Sequence, residues 1–175
     1  MTREPRLALF AEASAATGLG HLIRTSTIGA AAQGRGWDVT LVLRRDALDF
    51  AVDLGHDAGF TVEIRDWEPW PTMGSVDAVV LDSYRVSPAA VAALQATNRT
   101  TLVLWDMAPT PHTLAFTLNQ NFGADETYAV PDGATWLLGS RYALIRQAFQ
   151  RLRPDEVSIA ALREVVVMAG GTDPT

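Results

Sequence analysis

Apolar runs of strand length alternate with segments of helical spacing along the first hundred residues. RLALFA (6–11), DVTLVL (38–43), FTVEI (60–64), DAVVLD (77–82) and TTLVLWD (100–106) are short and mostly apolar, as strands buried on both faces of a parallel sheet are. Between them lie three helical patterns. The first covers 20–35, with GRG at 34–36 as its stop signal, and the second is RDALDFAVDLGHDAG, ending near Gly59. The third, VSPAAVAALQA, is opened by Ser87 as its cap and Pro88 at its first position. The prolines and glycine of DWEPWPTMGS (66–75) predict an irregular loop. This alternation predicts an α/β domain, doubly wound, with a mainly parallel sheet and helices on both faces.

Beyond residue 107 the pattern is less regular. TLAFTLNQN and TWLLG read as short strands, RYALIRQAFQRL has helical spacing, and EVVVMAGGTDPT reads as a strand followed by a glycine turn. Such a turn normally feeds a helix and none follows here, which points to a second domain that has been removed or was never present. The domain reading is therefore 1–163 as one unit, with 164–175 as the start of a crossing to the next.

Composition narrows the chemistry. The chain has 175 residues, of which 48% are hydrophobic, and a net charge of −6; this is enough for one sizeable core, but it is the wrong sign for wrapping nucleic acid. All 14 basic residues are arginine, which excludes a phosphate-loop lysine and a Schiff-base lysine. The absence of cysteine excludes disulfides, thiolate metal sites and a cysteine nucleophile. Met1 to Arg6 runs straight into the first strand without a signal-peptide core, and no stretch reaches membrane-spanning length. The cytoplasm is the expected compartment, with no membrane insertion. HExxH, GxSxG and a complete GxGxxG are absent, Ile23 occupying the third glycine position. Neither a metal nor a cofactor is expected.

In an open α/β sheet, ligands bind at the carboxyl ends of the strands. ATGLGHLIRTS (16–26) follows the first strand. Gly18 and Gly20 allow a tight turn and close backbone approach, and the first turn of the next helix offers unpaired amides to an anion. His21 and Arg24 are three residues apart, hence on one helical face; a neutral histidine there can take a proton from water while the arginine holds an anion. An ordinary strand-to-helix turn with an exposed histidine fits the motif equally well. Asp82 and Asp106 each close a strand, and Asp82 is not needed as a cap because Ser87 serves. Tyr84 adds a hydroxyl nearby; the competing role for each aspartate is a loop that bonds its own backbone. Asn119 and Asn121 alternate along an extended segment, suited to sugar hydroxyls or to closing a turn. His56 fits a cap or surface role, and His112 is a weak candidate in a loop near Asp106. Trp67 and Trp70 fit loop anchors better than pocket walls.

AEAS, GLGHLIR, LDSY, WD, LNQN, LLGSRYALIRQAF and MAGGTD occur in an order that resembles the UDP-sugar hydrolases of pseudaminic acid biosynthesis and the related spore-coat polysaccharide glycosyltransferases. The resemblance extends over nearly the whole chain, and the YALIRQAF and GGTD pieces sharpen it most. It implies a two-domain GT-B architecture, in which this chain is the N-terminal, Rossmann-like, sugar-side half and the GGTD loop, with Gly170 and Gly171, begins the crossing to a nucleotide-binding domain. It further implies His21 as the general base that activates water at the anomeric carbon, Gly18 and Gly20 beside the diphosphate, and Tyr84 at the reacting sugar. Asn119, Asn121, Tyr142 and Arg146 fall in matching motifs as substrate-binding positions. The implied substrate is a UDP-linked deoxy-amino sugar, cleaved between the anomeric carbon and oxygen.

The chain also departs from the pattern. Phe10 and Glu12 stand where the family tends to have Arg and Asp, Ser83 where histidine is common, and Trp105–Asp106 where two acids occur. Three functions therefore stay open: a nucleotide-sugar hydrolase, a glycosyltransferase using the same base on a hydroxyl acceptor, and a sugar-nucleotide-binding module without turnover.

Overall fold

The computed structural model describes residues 3–67, 76–97, 100–107 and 116–150. Seven strands form one sheet: β1 (Arg6–Ala11), β2 (Asp38–Leu43), β3 (Thr61–Ile64), β4 (Ala78–Asp82), β5 (Thr100–Leu104), β6 (Phe116–Asn119) and β7 (Thr135–Leu138). Their spatial order is β3-β2-β1-β4-β5-β6-β7, and every neighbouring pair is parallel. The fold is thus a doubly wound, Rossmann-like α/β sheet. Its order reverses between β1 and β4, which run in register from Leu7 opposite Ala78 to Ala11 opposite Asp82. In such a fold the ligand crevice lies beyond the carboxyl ends of these two strands, where the chain leaves them in opposite directions.

The two faces of the sheet follow from the period of two along each strand. Leu7, Leu9 and Ala11 pack with Leu41, Leu43 and Val80 on one face, beneath α1 (Gly20–Gln33) and α2 (Asp49–Asp57). Ala8 and Phe10 pack with Val79, Leu81 and Val103 on the other, with Val91 and Leu94 of α3 (Pro88–Gln95). Gly29 is where α1 meets the sheet most closely, since a Cβ there would lie 2.7 Å from both Leu9 and the Phe60 ring. Ser87 caps α3, its hydroxyl oxygen accepting from the Ala90 amide at 3.2 Å.

Two local expectations change, and one short element is new. The second helix begins at Asp49 rather than 45, because Ala47 is held in an antiparallel bridge to Ser14 and the Leu48 amide donates to the Ala13 carbonyl. RYALIRQAFQRL is not one helix over its described part. A 3-10 turn (Ser140–Tyr142) is followed by a break, and the Leu144 amide donates to Gln120 Oε1 at 2.7 Å instead of to its own chain four residues back. A single helical turn, α4 (Ala124–Thr127), was not evident in the sequence; it follows Gly123, whose φ of 74° favours glycine. A second short turn, α5 (Gln147–Gln150), closes the described chain. Among the described residues no helix is long and apolar enough to cross a membrane.

Candidate functional site

The turn after β1 leads directly into the crevice. Gly18 adopts φ 68°, and its amide donates to the Ser14 carbonyl at 2.8 Å, so the chain reverses into α1 within a few residues. Leu19 caps α1 without a side-chain hydrogen bond, and no acidic residue lies in the first turn. The first amides of a helix have no acceptor within it, so this end of α1 presents unpaired donors and the positive end of the helix dipole. A Cβ at Gly20 would meet nothing within 4 Å; that residue leaves space in front of the turn rather than relieving a contact.

His21 and Arg24 point from α1 toward the ends of β4 and β5. His21 Nδ1 lies 2.6 Å from Asp82 Oδ1. The Arg24 guanidinium grips Asp82 through Nε to Oδ2 and through Nη2 to Oδ1 at 2.6 Å, and reaches Asp106 Oδ2 through Nη1 at 2.6 Å. Tyr84 completes the cluster: its hydroxyl donates to Asp106 Oδ1 at 2.7 Å, and its ring meets the His21 ring edge-on at 4.5 Å between centroids. Five side chains from three segments thus contact one another in a closed ring at the carboxyl ends of β4 and β5, Asp82 being fully buried and His21 5% exposed.

This geometry orients the imidazole. A carboxylate is only an acceptor, so Nδ1 presents its proton to Asp82 and Nε2 is directed away from it. Arg24 Nη2, 3.2 Å from Nδ1, shares the same Asp82 oxygen. Two carboxylates surround one guanidinium, leaving an excess of negative charge beside the histidine. Arg24 is therefore committed to its own aspartates, which is a different task from holding a phosphate.

Burial lowers the Arg24 proton affinity, but the contacts with Asp82 and Asp106 outweigh it and raise the group above the ordinary arginine value; it stays charged. Tyr84 is pushed above the usual tyrosine value by burial and by the Asp106 carboxylate, so it serves as a donor and not as a base. Burial pushes Asp106 up, yet Arg24 and Tyr84 together carry it below the usual aspartate value. The folded protein then binds this proton more weakly than the unfolded chain, so the stabilisation is complete above pH 3.8, the ordinary value, and is lost as pH falls through the lower folded value. Asp106→Asn is expected to cost about 1.5–3 kcal/mol at neutral pH, as for a hydrogen bond to a charged group. In urea denaturation at successive pH values, the gap between wild type and variant should narrow below pH 3.8; parallel curves would rule out this origin.

The other expected site residues take no part in this cluster of contacts. Asn119 is buried at the end of β6, and its Oδ1 accepts the Asn121 amide at 3.0 Å, so this pair closes a turn. Tyr142 packs on the α1 side of the core beneath Arg141. Arg146 stacks over Phe149 at 4.7 Å and lines a cavity of about 890 Å³ with Ile23, Thr27 and Ala30 along the outer side of α1. His56 is exposed at the end of α2. Trp67 is fully buried, edge-on to Phe10 at 5.5 Å, an anchor rather than a pocket wall. Trp70, His112, Gly170 and Gly171 lie outside the described residues. Among the described residues no group of three or more His, Asp or Glu is arranged to hold a metal ion.

A further pair at the crevice carries no expected role from the sequence. Glu12 and Ser83, flagged only as departures from a motif, are both buried, and the Ser83 hydroxyl donates to Glu12 Oε1 at 2.6 Å. Their adjacency follows from the register, which places the residues after Ala11 and Asp82 side by side.

Compared with known proteins, the chain matches no family model, and no curated protein matches it at a significant level.

Proposed function

We propose that this domain is the sugar-side half of a nucleotide-sugar hydrolase, in which His21 activates water for attack at the anomeric carbon of a UDP-linked deoxy-amino sugar. The observation that carries it is the 2.6 Å contact between His21 Nδ1 and Asp82, which fixes the imidazole with an acceptor nitrogen available for a water proton. Water forms the new bond to the anomeric carbon, His21 Nε2 takes its proton, and the bonding pair of the broken C–O bond leaves on the diphosphate. Asp82 stabilises the imidazolium that results.

Two further features support the chemistry. Glycosyl transfer passes through an oxocarbenium-like transition state, and the excess negative charge of Asp82 and Asp106 over Arg24 favours positive charge developing nearby. The uncapped start of α1 is suited to an anionic leaving group. The choice of UDP and of an amino sugar rests on the ordered motifs and their resemblance to the hydrolase family, as does the assignment of nucleotide binding to a following domain.

The test is phosphorus NMR of full-length protein with a panel of UDP-linked N-acetylated amino sugars. Release of UDP in water alone supports hydrolysis. Release only after a hydroxyl acceptor is added would make the enzyme a transferase, and binding without turnover would leave a sugar-nucleotide-binding module.

A further inference from the structure

Glu12 is 1% exposed and lies at the end of β1. A carboxylate so deeply buried is costly unless it is paired or hydrogen-bonded, and the proposed chemistry makes no use of it. Its Oε1 accepts the Ser83 hydroxyl at 2.6 Å, while Oε2 is buried without a partner. Ser83 Oγ in turn accepts the Arg85 amide at 3.0 Å, which fixes the direction of the chain of bonds. With its lone pair engaged by that amide, the hydroxyl proton needs an acceptor, and Glu12 provides it. A second tie runs from the Glu12 amide to the Asp82 carbonyl at 3.4 Å. Outside these, the Arg85 side chain pairs with Asp46 at 2.7 Å, its Nε 3.8 Å from Glu12 Oε1.

Ser83 lies between the two residues that bracket His21. Asp82 fixes the imidazole at Nδ1, and Tyr84 packs against its ring. Strand alternation sends Ser83 to the face opposite Asp82, so the three residues can hold this arrangement only if the turn that carries them is fixed. We infer that Glu12 is a positioning residue: by anchoring Ser83 from β1, it sets the Asp82–Tyr84 turn and thereby the tautomer and orientation of His21. The Glu12 carboxylate has no hydrogen bond to His21 and acts on it through Ser83.

The effect on turnover rests on the hydrolase assignment, but the effect on His21 does not. Long-range nitrogen–proton NMR of the substrate-free protein reads the tautomer directly. Wild type should carry the proton on Nδ1. Glu12→Ala and Ser83→Ala should each give a mixture of tautomers, whereas Glu12→Gln, which keeps an acceptor oxygen, should retain the wild-type form. Where turnover is measured, the first two should lower kcat by roughly 10-fold to 100-fold, by analogy with the partners that orient metal-bound histidines, with KM little changed. Ser83→Ala removes one oxygen atom and serves if Glu12→Ala does not fold. An unchanged tautomer in Ser83→Ala, or loss of the Nδ1 form in Glu12→Gln, would overturn the inference. Absence of turnover in wild type on every UDP-sugar would count against the hydrolase assignment alone, with the tautomer still deciding the role of Glu12.

Discussion

Replacing His21 with alanine is expected to slow acceptor-free UDP release by roughly two to four orders of magnitude, the range associated with losing a general base. The loss should fall on kcat, since in the proposed mechanism the imidazole acts on the attacking water and not on the sugar or diphosphate. Imidazole added to the medium should recover part of the rate, because the space left beside Asp82 and the Tyr84 ring retains the partner that oriented the ring. Circular dichroism would confirm that the sheet is intact. A variant that turns over within a few-fold of wild type would remove His21 from the chemistry.

Asp82→Asn carries the second large effect. The side chain keeps its shape, so Arg24 retains one oxygen to grip, but an amide can now donate to His21 Nδ1. That stabilises the proton on Nε2 and turns the lone pair away from the water. In serine hydrolases the corresponding aspartate-to-asparagine change costs about 10⁴ in kcat through the same tautomer reversal, and a loss of roughly 10³–10⁴ is expected here on that template. Groups that act as one unit are strongly non-additive. The double variant His21→Ala, Asp82→Asn should therefore be little slower than His21→Ala alone. If the two losses multiply, Asp82 acts independently of His21, for example on the substrate.

Much of this site is legible before any coordinates are known. The rule that ligands meet the carboxyl ends of strands selects His21, Arg24, Asp82, Tyr84 and Asp106, and those five side chains do converge. Ser87 as cap of α3 leaves Asp82 available for the crevice. What local pattern cannot reveal is how the charges pair. Arg24 reads as an anion holder when only its helix is considered, yet its carboxylate partners Asp82 and Asp106 lie 58 and 82 residues further along the chain, at and just beyond the ends of two strands. Asn119 and Asn121 look alike on one extended segment, but the chain turns after Asn119 and consumes its amide oxygen. The segment around Leu144 has helical spacing, and a tertiary hydrogen bond that the Leu144 amide donates to Gln120 overrides it. Glu12 reads as a one-methylene variation on a motif; only the β1–β4 register puts it against Ser83.

The departure at Phe10 also acquires a physical meaning. Its side chain is 1% exposed in the core cluster on the α3 face, with Trp67 edge-on, and burying such a ring is worth about 1.5–3 kcal/mol. His21 and Arg24 belong to α1, on the other face. Phenylalanine at this position supports the sheet and the anchoring of the Trp67 segment, and leaves the His21–Asp82–Arg24 arrangement to stand without it.

The central claim is that His21 delivers water to the anomeric carbon, and the most direct measurement is turnover in water enriched in ¹⁸O, followed by phosphorus NMR of the nucleotide and mass spectrometry of the sugar. Attack at carbon predicts one heavy oxygen in the released sugar and none in UDP. Heavy oxygen in the diphosphate would mean attack at phosphorus, and would contradict the role assigned to His21.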